Sequence, residues 1–248
     1  MSGTIPVAAM PAILLTRPAD GAARFARALQ DALGPVRIVT SPVLKIVPTG
    51  DVPDLSDDPI LIFTSRNGIA FRGFGLKQGL NCLTVGDATA QAAEAAGISA
   101  RSAGGDVNDL LDLIANERPD RPLLHVRGAH SAGDLVGNLR AMGLTAREVV
   151  VYDQVGQPLS DEAQELLQGT APVIVPLFSP RSAAVFADQA HGPAPLFVAA
   201  LSAAVAEAAQ LTCAELKIAR EPTMAAMVSV TCGLYDAAQS LEGGSRAQ

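Results

Sequence analysis

The segments Phe63-Thr64-Ser65-Arg66-Asn67-Gly68 and Phe178-Ser179-Pro180-Arg181-Ser182-Ala183 repeat one pattern in two parts of a 248-residue chain. Each sets an aromatic, a hydroxyl and an arginine in step and runs on to a second phenylalanine, Phe71 or Phe186. Farther along, Val85-Gly86-Asp87-Ala88-Thr89-Ala90 with Glu94 answers Val198-Ala199-Ala200-Leu201-Ser202-Ala203 with Glu207, which makes Thr89 and Ser202 counterparts. Two more apolar runs, Leu14-Leu15-Thr16-Arg17 and Leu124-His125-Val126-Arg127, end in arginine ahead of a helical pattern. All read as strands that deliver a hydroxyl, an arginine or both into the turn before a helix, where open α/β sheets place their ligands. The expectation is a duplicated α/β protein with a site between its halves.

Outward from these segments, short continuous apolar runs alternate with alanine-rich helical patterns, as in parallel sheets covered by helices on both faces. Strands are predicted at 13–16, 36–39, 60–63, 82–85, 123–126, 149–152, 173–178, 196–200 and 216–219. Helices are predicted at 20–33, 67–79, 88–96, 107–116, 132–142, 161–168, 181–189, 202–210 and 223–238. Residues 41–48 and 149–155 stand outside the alternation and read as a two-stranded ribbon connecting two domains. Residues 1–12 read as an extension, with Met10 a candidate start, and the tail from Glu242 reads as frayed.

Composition narrows the function. The apolar fraction is 49%, so two cores can be buried. The formal charge is −7 and no block of Lys or Arg occurs, which argues against a nucleic acid partner. The longest uncharged stretch, 189–206, contains His191, Gly192 and two prolines, which argues against a membrane span. Cys82, Cys213 and Cys232 have no C-x-x-C spacing and fit buried thiols in a reducing cytoplasm. His125, His130 and His191 show no metal spacing, and no nucleophile elbow, P-loop or dinucleotide fingerprint follows a strand.

The candidates are therefore strand-end hydroxyls and arginines. Thr64, Ser65, Ser179 and Ser182 suit helix capping, and a capped helix start also offers free N–H groups to an anion, so both roles stand. Arg17, Arg66, Arg127 and Arg181 recur in equivalent turns. Tyr152 lies in the proposed ribbon, where covering apolar surface is an equally good use of a strand aromatic.

The series Leu14-Leu15-Thr16-Arg17-Pro18-Ala19, Ile62-Phe63-Thr64-Ser65-Arg66-Asn67, Val85-Gly86-Asp87-Ala88-Thr89-Ala90, Arg127-Gly128, Val151-Tyr152, Phe178-Ser179-Pro180-Arg181-Ser182 and Glu221-Pro222-Thr223 resembles the uroporphyrinogen-III synthase family. The resemblance spans roughly residues 12–238. It implies two similar flavodoxin-like three-layer domains with parallel sheets: 1–40 with 156–248, and 46–148, joined by a ladder of 41–45 and 149–155. It also implies a cytoplasmic, monomeric, cofactor-independent and metal-free enzyme. That enzyme dehydrates and closes linear hydroxymethylbilane to uroporphyrinogen III, inverting the last pyrrole through a spiro intermediate. Hydroxymethylbilane synthase would be a transient partner. On this resemblance Tyr152 assists departure of the hydroxyl, and Thr64, Ser65, Thr89, Ser179, Ser202 and Thr223 match polar positions of the substrate site. Arg17, Arg66, Arg127 and Arg181 are expected to hold substrate carboxylates. A non-enzymatic protein that binds a tetrapyrrole or another polyanion, and a scaffold for a partner enzyme, are the alternative readings.

Overall fold

A computed structural model describes residues 10–71, 79–130 and 133–244 of the chain. Residues 1–9, most of the helix expected over 67–79 with its Arg72-Gly73-Phe74-Gly75 run, the expected helix start at Ala132 and the tail from 245 lie outside the described residues. The described chain divides into two units: Met1–Lys45 with Gly156–Gln248, and Ile46–Val155.

The first unit contains β1 (Ala12–Leu15), α1 (Ala19–Leu33) and β2 (Arg37–Thr40). The chain leaves it within β3 (Leu44–Pro48). The second unit follows with β4 (Ile60–Phe63), α2 (Arg66–Ala70), β5 (Asn81–Thr84), α3 (Asp87–Ala95), β6 (Ser99–Ser102), α4 (Val107–Glu117), β7 (Leu123–Gly128), α5 (Leu135–Ala141) and β8 (Ala146–Gly156). The first unit is completed by α6 (Asp161–Gln168), β9 (Val173–Leu177), α7 (Pro180–Ala187), β10 (Leu196–Ala200), α8 (Ala203–Ala209), β11 (Glu215–Ile218) and α9 (Met224–Gly244). One strand, β6, has no counterpart in the sequence expectation. Its Ser-Ala-Arg-Ser sequence carries no apolar run because it is the half-exposed edge of its sheet.

The ribbon expected from sequence is the end of a larger sheet. β3 is a hydrogen-bonded neighbour of β8 in the order β3-β8-β7-β4-β5-β6. Val43 O accepts from Gln157 N and Val151 O accepts from Thr49 N, so the two strands run antiparallel. The chain crosses between units inside β3 and again inside β8.

The first unit's sheet has the order β2-β1-β9-β10-β11, and its neighbouring strands all run parallel. In the second unit the parallel strands run β8-β7-β4-β5-β6. Laid side by side, the orders match strand for strand, with β1-β2 answering β7-β8 and β9-β10-β11 answering β4-β5-β6. The registers agree as well. Leu177 faces Ala200 where Phe63 faces Thr84, and Ile174 faces Ile13 where Ile60 faces Leu123. The two units are thus one sheet design entered at different strands, so each has its strand-order reversal at one place: between β1 and β9, and between β7 and β4.

Alternate residues of each strand enter different cores, as the strand's two-residue side-chain period requires. In the first unit Ile13, Leu15, Ile174 and Phe197 pack under α1 and α9, while Leu14, Val173, Val175 and Val198 meet α6, α7 and α8. In the second, Leu61, Phe63, Leu124 and Val126 pack with Ile69 of α2 and Ala93 of α3. There Ile62, Leu83 and Leu123 pack with Leu110 and Ile114 of α4 and Leu139 of α5. Burial on both faces accounts for the unbroken apolar runs.

Candidate active site

Ligands of doubly wound sheets bind beyond the carboxyl ends of the strands, in the crevice where strand order reverses. In the second unit that place holds a cavity of about 280 Å³ lined by Thr64 and Ser65 after β4, His125, Arg127 and Gly128 of β7, and Tyr152 and Gln154 of β8. Val107, His130 and Leu135 complete its wall.

Ser65 caps α2, its Oγ accepting from Asn67 N at 3.2 Å. One turn on, Gly68 lets the helix lie against β7: a Cβ there would stand 2.7 Å from the Val126 carbonyl oxygen. Thr64 is held between strand end and cap, with Oγ1 3.2 Å from His125 Nε2. Across the ladder, Arg127 faces Val150 but Gly128 faces Tyr152, so Val151 is an extra residue in β8. This bulge is pinned by Thr49, which donates through Oγ1 to Val150 O (2.6 Å) and through N to Val151 O (3.1 Å). It brings the Tyr152 ring onto Gly128, where any side chain would occupy the ring's own volume. Tyr152 is buried, packs 6.1 Å from the Phe71 ring centroid, and lines the cavity. Tyr152 thus packs against apolar surface and borders the cavity at once.

Charge at the rim is compensated. Arg127 donates through Nε (2.8 Å) and Nη2 (2.6 Å) to the Glu148 carboxylate and through Nη1 to the carbonyls of Gly128 and Ala129. These bonds raise the arginine's pKa and lower that of Glu148. His125 is only 4% exposed. Burial, reinforced by the Arg127 charge and opposed by Glu148, pushes its pKa down to about 4, so the imidazole is neutral at pH 7.

The matching place in the first unit is filled. Arg17 lies over the Phe178 ring, 4.0 Å from its centroid, and Phe178 meets Phe25 edge-on at 4.9 Å. Ser179 caps α7, accepting from Ser182 N at 3.2 Å and lying 2.7 Å from Ser182 Oγ. Arg181 follows in the first turn of α7 and is half-buried. Thr223 accepts from Ala226 N at the start of α9. Ser202 precedes α8 without a side-chain capping bond. In the second unit, Arg66 opens α2 and is exposed. Thr89 is buried inside α3, apart from the cavity lining.

Two alignments made from sequence are corrected by these positions. Ser65 and Ser179 each stand two residues beyond their strand and cap the next helix, so Ser179 answers Ser65, and Phe178 answers Thr64. Ser202 answers Gly86, since both precede a helix two residues after a strand, whereas Thr89 lies one turn into its helix. Sequence similarity aligned like with like, but the backbone aligns strand ends. The pair Arg17 and Arg127 keeps its equivalence in the ladder register.

Of the residues expected at the site, Thr64, Ser65, Arg127 and Tyr152 share the cavity, and Arg66 and Thr89 of the same unit do not line it. Sequence reasoning missed His125, Gln154 and the bulge. A histidine inside an apolar strand, three residues from its end, was the available signal for the first.

Residues 23–229 match the family described as Uroporphyrinogen-III synthase HemD. The chain belongs to the uroporphyrinogen-III synthase family. The uroporphyrinogen-III synthase of Chlorobaculum parvum is 29% identical over 167 residues, 61% of this chain and 67% of that protein. Among solved structures, the uroporphyrinogen-III synthetase of Helicobacter pylori 26695 aligns with a TM-score of 0.67 at 15% identity, covering 91% of this chain and 100% of the other. A mutant uroporphyrinogen III synthase of Thermus thermophilus aligns with a TM-score of 0.50 at 15% identity, covering 94% and 100%. At these identities the structures speak for the fold, and the family match carries the enzyme class. Among the described residues no helix is long and apolar enough to cross a membrane.

Proposed function

We propose that this member of the uroporphyrinogen-III synthase family closes linear hydroxymethylbilane to uroporphyrinogen III, with the second unit's cavity holding one ring of the substrate. The observation that carries the site is the meeting of Thr64, Ser65, Arg127 and Tyr152 at the point of strand-order reversal. About 280 Å³ lies just below the range of pockets that enclose a whole small ligand, roughly 300–1,000 Å³, and suits one substituted pyrrole rather than four.

The overall change is loss of water. The C–O bond of the hydroxymethyl group breaks, its electron pair leaves with oxygen, and a proton must reach that oxygen. The electron-rich pyrrole supplies the push, and a carbon–carbon bond then forms at the substituted position of the last ring, giving a spiro intermediate. The older bond from that carbon to its bridging methylene then breaks, the freed methylene bonds to the ring's unsubstituted α carbon, and the proton lost there balances the one that left with the hydroxyl. No oxidation or reduction occurs, so the balanced reaction calls for no redox cofactor. Unassisted, the bilane closes without inversion, and the enzyme's main task is to fold the chain for attack at the substituted carbon.

In this reading Tyr152 hydrogen-bonds the departing hydroxyl, and Thr64 and Ser65 receive the carboxylates of the bound ring. Arg127 acts mainly through the field around it, because four of its five N–H donors are engaged by Glu148, Gly128 and Ala129. Arg17, Arg66, Thr89, Ser179, Arg181, Ser202 and Thr223 are proposed as further substrate-binding positions of their own units, outside the cavity. We further place the enzyme in the cytoplasm as a monomer that takes its unstable substrate from hydroxymethylbilane synthase. The free thiols Cys82, Cys213 and Cys232 support a reducing compartment.

Freshly made bilane, with the isomers resolved after turnover, tests the reading. Type III product is expected; type I alone refutes the activity. Tyr152→Phe should lower kcat by about tenfold or more while changing KM less, since it removes a donor used as the C–O bond breaks. An unchanged kcat returns Tyr152 to packing alone.

A further inference from the structure

His125 sits at the centre of the reversal point, yet neither the sequence repeat nor the reaction as written gives it work. On β7 it faces Ile62 of β4 on one side and Glu148 of β8 on the other. Its Nε2 lies 3.2 Å from Thr64 Oγ1, and its Nδ1 is buried with no hydrogen-bond partner among the described residues. The charged groups around it, Arg127 on its own strand and Glu148 on the next, bond to each other. His130 shares the cavity and pairs with Asp153, while α4 and α5 present Val107 and Leu135 to the wall.

A neutral imidazole has one proton to place. On Nδ1 it would be a buried N–H with no acceptor, and orphaned buried donors are rarer and costlier than bare acceptors. On Nε2 it points at Thr64 Oγ1, which then accepts, and the hydroxyl's own hydrogen must turn elsewhere. Thr64 lines the cavity, so that hydrogen is available there.

We propose that His125 is a positioning residue that fixes the Thr64 hydroxyl as a hydrogen-bond donor into the cavity, selecting a substrate carboxylate at that point. The inference rests on the cavity being a substrate subsite. Its chemistry is a relay: imidazole Nε2–H to Thr64 Oγ1, and Thr64 O–H to a carboxylate oxygen of an acetate or propionate. The unit chooses a donor at a position where a free threonine could turn either way, and an anionic oxygen is the group that rewards a committed donor.

Two measurements test it. Long-range 15N–1H correlation on the histidine-labelled wild-type protein should show one histidine held as the Nε2–H tautomer at neutral pH and lost in His125→Leu; an Nδ1–H signal for that residue overturns the proposal. This readout does not depend on turnover. In kinetics with the bilane, His125→Leu should raise KM roughly tenfold, the size expected for a weakened hydrogen bond to a charged group, with kcat changed by about twofold or less. His125→Gln, whose amide N–H reaches the Nε2 position, should restore KM, and His125→Asn, which reaches the Nδ1 position, should not. Thr64→Val should raise KM similarly, and the double variant should add little to either. Equal KM values for the Gln and Asn variants, or additive losses in the double variant, overturn the relay. Wild-type enzyme that makes no type III isomer, with the tautomer as expected, would instead overturn the reading of the subsite.

Discussion

The two units share a sheet, a register and an arginine at the reversal point, yet one is open there and the other is filled. Three matched pairs account for the difference. Thr64 stands where the first unit has Phe178, His125 where it has Leu15, and Gly128 where it has Pro18, following the paired registers. Phe178 lays its ring between Arg17 and Phe25, whereas Thr64 is too short to cross the gap. Leu15 is fully buried in an apolar core, while His125 brings a polar group to the same depth. Gly128 leaves room for Tyr152. Duplication thus supplied two equivalent places, and smaller side chains with one buried polar group accompany the cavity of the second.

Thr64→Phe attacks this contrast most directly, because it gives the second unit the first unit's plug. Formation of type III product should fall at least about 100-fold, roughly 3 kcal/mol of transition-state stabilisation. Thermal stability should change little, since the added ring enters existing space. The reciprocal Phe178→Thr should cost about 2 kcal/mol in urea unfolding, less than truncation of a fully buried phenylalanine because Phe178 is half-buried. A Thr64→Phe enzyme with near-normal turnover would mean that the cavity is not used.

His125 and Leu15 differ in a way that pH exposes. The histidine's pKa is lowered from 6.5 unfolded to about 4 folded. Between those values the unfolded chain binds the extra proton, so this residue's contribution is full above about pH 6.5 and is lost as pH falls through about 4. By pH 5 the loss amounts to about 2 kcal/mol. Unfolding free energies of wild type and His125→Leu, compared from pH 7 to 5, should converge or cross as the wild type weakens. Parallel curves would show that the imidazole takes up its proton at the same pH in the folded and unfolded chain.

Much of this architecture was legible because two-sided burial writes strands as apolar runs. Ile60–Phe63 and Leu196–Ala200 lie at the residues expected from sequence, and most helix ends fall within one to three. β6 escaped because an edge strand of Ser and Arg carries no such run. The site was legible as a list of turn residues, since hydroxyls before helices are constrained by capping. Its geometry was not. Whether Thr64 answers Phe178 or Ser179 depends on where each strand stops, which side-chain similarity does not encode. The bulge at Val151, which brings Tyr152 onto Gly128, depends on two bonds from Thr49, just beyond β3 and about a hundred residues away in sequence. Local pattern cannot report such pairings.

The arginines provide the finest test, since Arg17 and Arg127 are equivalent in position but not in partner. Arg127 grips a carboxylate at a half-exposed rim, and Arg17 covers an aromatic face. A double-mutant cycle between Arg127 and Glu148 should give a coupling below about 1 kcal/mol, as for other partly exposed ion pairs. That coupling should shrink as ionic strength rises from about 0.05 M to about 0.5 M, because salt screens charges reached by water. The cycle between Arg17 and Phe178 should give a similar coupling of about 1 kcal/mol. It should respond less to salt, since dispersion and the ring's quadrupole act only at contact distance. Both couplings are read from urea unfolding of the single and double variants. Equal salt dependence in the two cycles would show that partner chemistry does not separate these arginines, and the filled and open reversal points would then differ in shape alone.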